Sequence, residues 1–83
     1  MTRPMTPPAA RRNPVNRNKI VGSKWTATRP VDRQKHFIVI DWVRDEDGTP
    51  TELIEIEAVL TRNVSVVHWR ELGDPAIWRI GWR

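Results

Sequence analysis

His36-Phe37-Ile38-Val39-Ile40-Asp41-Trp42-Val43-Arg44, followed by Asp45-Glu46-Asp47-Gly48-Thr49-Pro50 and then Thr51 to Leu60, is the stretch that decides the fold. Its first part is rich in β-branched and aromatic residues and apolar at both parities until Asp41, the pattern of a strand covered on both faces at one end. The second part is a turn, in which Gly48 accepts left-handed backbone and Pro50 closes the connection. The third alternates: Ile54, Ile56, Ala58 and Leu60 share one face, while Leu53, Glu55, Glu57 and Val59 share the other, which places both glutamates in water. Two strands joined by a short turn make an antiparallel hairpin.

The same reading extends outward. Arg62-Asn63 forms the next turn, because Asn tolerates left-handed backbone, and Val64 to Arg70 is a further strand. Upstream, Ser23 to Thr28 is a first short strand, which Pro30 ends. Downstream, Asp74 is a good helix N-cap, Pro75 fits the first helical position and Gly81 suits the residue just past a helix end, so a short C-terminal helix is predicted. A helix of about six residues is unstable alone and must dock Ile77, Trp78 and Ile80 on the sheet, with Trp82 folding back on Ile77. The expected architecture is mainly β: a small, strongly bent antiparallel sheet of the SH3-like barrel or β-roll kind, with a short C-terminal helix.

Pro4, Pro7, Pro8 and Pro14 lie among Arg, Asn, Thr and Ala, so residues 1–18 are expected to form a disordered basic arm and residues 19–83 the tryptophan-rich β domain. That leaves roughly 60–65 residues for one small core. The 83 residues include five Trp, one Phe and no Tyr. Each buried Trp removes about 150–250 Å² from water, several kcal/mol at ~25 cal/mol per Å², so several of the five are expected inside, Trp42 and Trp78 first. No cysteine is present, which excludes disulfides and thiolate metal sites and suits a reducing cytoplasm. No secretory signal or membrane span is legible, and no membrane contact is expected.

The net charge of +4 hides an asymmetry. Residues 1–35 hold nine basic side chains against one acid, a net +8, whereas residues 36–83 hold five against nine, a net −4. A basic extension on a mildly acidic body suits a polyanion, or else keeps a small protein in solution.

Nothing in the sequence composes a catalytic site. There is no Gly-rich phosphate loop and no nucleophile-elbow serine, and Ser23 and Ser65 have no spaced His partner, so no enzyme, no catalytic residue and no cofactor are expected. His36 and His68 would approach if their strands paired, with Asp41 or Glu71 as further ligands, but two strand histidines more often face a core, and no metal is expected. Trp25, beside Lys24 and close to Arg29, Arg33 and Lys35, could stack on an unpaired base while the cations hold phosphates; the alternative is a Trp packed in the sheet. Trp69 and Trp82 precede Arg70 and Arg83 and suit cation–π pairs.

Asn18-Lys19-Ile20, Ser23-Lys24-Trp25-Thr26-Ala27, Lys35-His36-Phe37, Glu57-Ala58-Val59, Thr61-Arg62 and Trp78 with Gly81-Trp82 together resemble the small tryptophan-rich bacterial proteins, over residues 18–83. The resemblance implies a cytoplasmic bacterial protein, brings no activity with it, and singles out Lys24, Trp25, His36 and Phe37. The residues favour a non-enzymatic RNA-binding accessory protein, monomeric and associated with the ribosome or another ribonucleoprotein. Its arm would lie on phosphates through Arg3, Arg11, Arg12, Arg17 and Lys19, and the Lys24-Trp25 corner would be the anchor. The second expectation is a protein–protein adaptor that sets an exposed Trp/Arg patch on an acidic protein surface.

Overall fold

The computed structural model describes residues 12–83 and contains one five-stranded antiparallel sheet. Its strands are β1 (Lys24–Val31), β2 (Gln34–Arg44), β3 (Pro50–Ala58), β4 (Val64–His68) and β5 (Trp78–Ile80), in the order β4-β3-β2-β1-β5. The sheet is mainly the expected one, but it is open, with β4 and β5 as separate edges, and no barrel closes. Among the described residues no helix is long and apolar enough to cross a membrane.

The central hairpin explains its own sequence. Phe37 faces Ala58, Val39 faces Ile56 and Trp42 faces Ile54, but Asp41 already faces Glu55, so Ile40 is one extra residue in β2. This β-bulge switches the parity of β2 and returns Trp42 to the face that Phe37 and Val39 occupy. The apolar run at both parities is therefore the mark of a bulge, not of a strand buried on both sides. Val39, Ile54, Ile56 and Ala58 are buried on this face together with Trp25 and Trp78.

The core face is covered by chain that is neither α-helix nor strand. Residues 12–22 run across it as a strap, with Ile20 buried and Val15 packed on the core, and the 3₁₀ turn Trp69–Gly73 supplies Leu72. Asn13 fastens the strap: its backbone N–H donates to the Gly73 carbonyl (2.8 Å), and its side-chain amide donates to the carbonyls of Leu72 (3.0 Å) and Trp78 (2.9 Å). Disorder thus does not extend over residues 12–18. Proline and asparagine leave only the 3₁₀ turn Arg17–Lys19 as regular structure there, yet an amide side chain reaching two carbonyls and a backbone N–H reaching a third dock the segment without more.

The predicted C-terminal helix is absent. Asp74 does cap a turn, its carboxylate accepting from Ala76 N–H (2.9 Å) and its carbonyl from Trp78 N–H (2.9 Å). After that single turn the chain becomes β5, pairing Trp25 with Ile80, Thr26 with Arg79 and Ala27 with Trp78. A lone helical turn leaves most of its own N–H and C=O groups unmet, whereas pairing with the open edge of β1 satisfies them. Between β3 and β4 the left-handed residue is Arg62 (φ 66°), where Asn63 was expected.

The β1–β2 connection has a cost the sequence does not reveal. Val31 pairs with Gln34, and the two residues between them, Asp32 (φ 54°) and Arg33 (φ 66°), both adopt left-handed backbone. Two-residue hairpins of this hand favour Asn-Gly. The double substitution Asp32→Asn with Arg33→Gly is expected to raise stability by about 1 kcal/mol, seen as a higher urea midpoint at unchanged slope.

Candidate functional site

The tryptophans sort by face. Trp25 (3 % exposed) and Trp78 (5 % exposed) are core residues. Trp25 donates its indole N–H to Ser23 Oγ (2.8 Å), and Trp78 donates to Glu71 (3.2 Å) while meeting Phe37 edge to face at 5.0 Å. The base-stacking role considered for Trp25 is therefore closed to it, because its ring faces the core and its polar edge is occupied. Lys24, one residue away, lies on the opposite face.

On that opposite face the exposed ring is Trp82 (44 % exposed). Gly81, at φ +79°, turns the chain off the end of β5, a conformation that favours glycine. Trp82 does not return to Ile77 but lies across β2, donating its indole N–H to the Phe37 carbonyl (3.0 Å) with its ring 6.0 Å from the His36 ring. Lys24 Nζ sits 4.8 Å from the Trp82 ring centroid, so Lys24, not Arg83, is its cation partner.

Thr26 is the pin beneath this corner. Although polar it is buried, and its hydroxyl donates to the Gly81 carbonyl (2.7 Å) and accepts from the Arg83 N–H (2.9 Å). His36 Nε2–H donates to the Arg83 main-chain oxygen (2.9 Å) from the other side. Beside the pin, a surface recess is lined by Thr26, Thr28, Lys35, Arg79 and Arg83. Three cations border it, with Ala27 and Pro30, while the two threonine hydroxyls bond the Gly81 and Ala76 carbonyls.

The charge on this face is divided. The ion pairs among the described residues are Arg17–Glu52, Arg44–Asp41 and Arg62–Glu57, and none uses Lys24, Lys35, Arg79 or Arg83. Glu55 and Glu57 stand on the same face but on β3, beyond β2, so the basic half carries the aromatic ring and the acidic half does not. Unpaired cations around an exposed, hydrogen-bonded indole can hold an anion next to a planar group.

The remaining sequence-derived candidates scatter. Arg12 is bound to the fold through its guanidinium and the Arg70 carbonyl (2.6 Å). Arg17 lies 4.8 Å and 4.9 Å from the rings of Trp42 and Trp69 and donates to Glu52 (2.8 Å), while Trp69 donates to the other oxygen of Glu52 (3.1 Å). The Arg17 hydrogen bond, then that of Trp69, holds the Glu52 carboxyl below its ordinary range. Asp41 is likewise lowered, chiefly by the Trp42 backbone N–H and then by Arg44. Arg17 thus ties the strap to the sheet through Glu52 and the two indoles. Lys19 and Lys24 line a groove with Ile80 and Gly81, Arg29 lies by Ile77 at the far end of β1, and Arg33 occupies the hairpin tip. Arg3 and Arg11 lie outside the described residues.

Of the predicted set, the structure gathers Lys24 and Lys35, with His36, which the resemblance singled out, beside them; sequence reasoning missed Arg79, Trp82 and Arg83 as their companions. A signal was present in Gly81 before Trp82, once read as the reversal of a strand end. The second pairing considered, His36 with His68, is not formed, since β3 separates β2 from β4. Among the described residues no three His, Asp or Glu side chains cluster as metal ligands would.

A family model described as tryptophan-rich protein (DUF2389) matches residues 23–83, a span that includes every residue of the Trp82 corner. No curated protein and no solved structure matches the chain.

Proposed function

The chain belongs to the tryptophan-rich protein family DUF2389, and we propose that it is a non-enzymatic module that binds single-stranded RNA through its outer face. One observation carries this reading: an exposed, pinned indole at Trp82 adjoins Lys24 and a recess bearing Lys35, Arg79 and Arg83. A nucleobase presents the flat surface that stacks on such a ring, and its phosphates are the anions the cations receive. A rigid platform also lowers the ordering cost of binding, because Trp82 is held by the Phe37 carbonyl before any ligand arrives. A single strand suits the geometry better than a duplex, whose bases are not available for stacking on a side chain. Under this reading the protein acts in the cytoplasm as an accessory to the ribosome or another large RNA particle.

The test is a titration of the full chain with an oligouridylate, followed by Trp fluorescence over a salt series. Four cations on phosphates give a log–log salt slope of about −3 for a single strand. The triple variant Lys35→Ser, Arg79→Ser, Arg83→Ser is expected to flatten that slope by about 2. An unchanged slope in the variant would refute the assignment of phosphate contacts to the recess.

A further inference from the structure

The two edges of the sheet are treated differently. On β5 the outward carbonyls are occupied: Trp78 accepts from the Asn13 amide (2.9 Å) and Ile80 accepts from Arg83 Nε (3.1 Å). On β4 the pairing Ala58 N–H to Asn63 carbonyl (2.8 Å) fixes which residues bond inward. Alternation then directs Asn63, Ser65 and Val67 toward β3 and leaves on the open side the N–H and C=O groups of Val64 and Val66 and the N–H of His68, whose carbonyl caps the 3₁₀ turn Trp69–Gly73. Among the described residues this edge has none of the usual protections. It carries no proline, no charged side chain and no bulge over five consecutive pairs, and Val64 and Val66 are about half exposed.

We infer that the free edge of β4 pairs antiparallel with β4 of a second copy of this chain, joining two sheets into one of ten strands. The strand is complementary to itself. A two-fold axis at Val66 sets Val66 against Val66 and Val64 against His68; the two Val66 residues exchange both hydrogen bonds, and each His68 N–H donates to the Val64 carbonyl of the other copy. Like charges do not face one another within the strand because it has none. The flanking arginines are drawn back by their own chain, Arg62 toward Glu57 (3.9 Å) and Arg70 onto the Trp69 ring (5.0 Å). An edge-only contact is small, so the association is weak, in the range of roughly 10–500 µM. Pairing also sets two Trp82 corners on one continuous face, which would give the RNA reading a bivalent form; the pairing itself does not depend on that reading.

Sedimentation equilibrium of the full chain over this concentration range tests it. The expected result is a concentration-dependent rise from 9.7 kDa toward twice that mass. Val66→Lys, which places two ammonium groups against each other, and Val66→Pro, which removes an outward N–H, are both expected to hold the chain at monomer mass. Circular dichroism checks that each variant stays folded, and Val66→Lys, altering an exposed side chain only, serves if the proline variant does not. A wild type that stays monomeric to ~1 mM overturns the inference, as does a dimer that survives in a folded Val66→Lys variant.

Discussion

Trp25→Ala is expected to leave the protein largely unfolded at 25 °C. The ring is 3 % exposed, lies in the core with Ile20, Val39, Ile54, Ile56, Leu72 and Trp78, and loses a satisfied indole hydrogen bond to Ser23 when removed. Truncating a buried Trp costs about 3–5 kcal/mol, and a core of this size supplies about the same. The cost is not recoverable by collapse, because Trp25 bridges the sheet and the strap and its removal opens a void at their seam. Loss of near-ultraviolet dichroism, together with a urea transition displaced to near zero denaturant, would record it. A cooperative transition within 1 kcal/mol of wild type would show that Trp25 does not hold the core.

Trp82→Ala is expected to do the opposite: to keep the fold and lose the ligand. Its ring is nearly half exposed, and its main internal tie is one hydrogen bond to the Phe37 carbonyl. Thr26 still binds Gly81 and Arg83 without it, so the C-terminal hook stays in place. Stacking of a base on an aromatic ring contributes about 1–3 kcal/mol, so affinity for a single-stranded oligouridylate should fall by roughly ten- to a hundredfold. The salt slope should persist, because the cations remain. The two substitutions together separate the tryptophan that builds the core from the one proposed to stack on RNA, and a Trp82→Ala variant with wild-type affinity would contradict that proposal.

The sequence made the central sheet readable because its signal is local. The alternation of Ile54, Ile56 and Ala58 names the buried face of β3 by itself, and the Asp45–Pro50 turn joins it to β2. The bulge at Ile40 is also written in the sequence, as the change of apolar parity between Val39 and Trp42, but the same letters describe a strand buried on both faces. Where the deciding partner is far along the chain, local signals misled. Asp74, Pro75 and Gly81 are good helix punctuation, and Asp74 does cap a turn. What replaced the helix was the open edge of β1, some fifty residues earlier, which Trp78–Ile80 pairs with.

The site follows the same division. Lys24 and Lys35 were legible as cations near an aromatic residue, but which ring they accompany depends on faces. Trp25 and Lys24 are adjacent in sequence and so lie on opposite sides of β1; Trp82 joins Lys24 only because Gly81 reverses the chain over β2. Arg12 and Arg17 looked like free arm charges because composition does not show that Asn13 and Ile20 hold residues 12–22 against the sheet. Their guanidinium groups are engaged by the chain's own surface, Arg12 by the Arg70 carbonyl and Arg17 by Glu52 and two tryptophans.

The most direct measurement of the claim that the Trp82 corner receives RNA is a two-dimensional ¹H–¹⁵N spectrum of the full chain during titration with an oligouridylate. Five tryptophans give five indole N–H resonances, each reporting its own surroundings. The expected result is that the Trp82 indole shifts with the amides of Lys24, Lys35, Arg79 and Arg83, while the Trp25 and Trp78 indoles stay where they are. Shifts centred instead on Trp42, Trp69 and Arg17, or a spectrum that does not change at low salt, would contradict it.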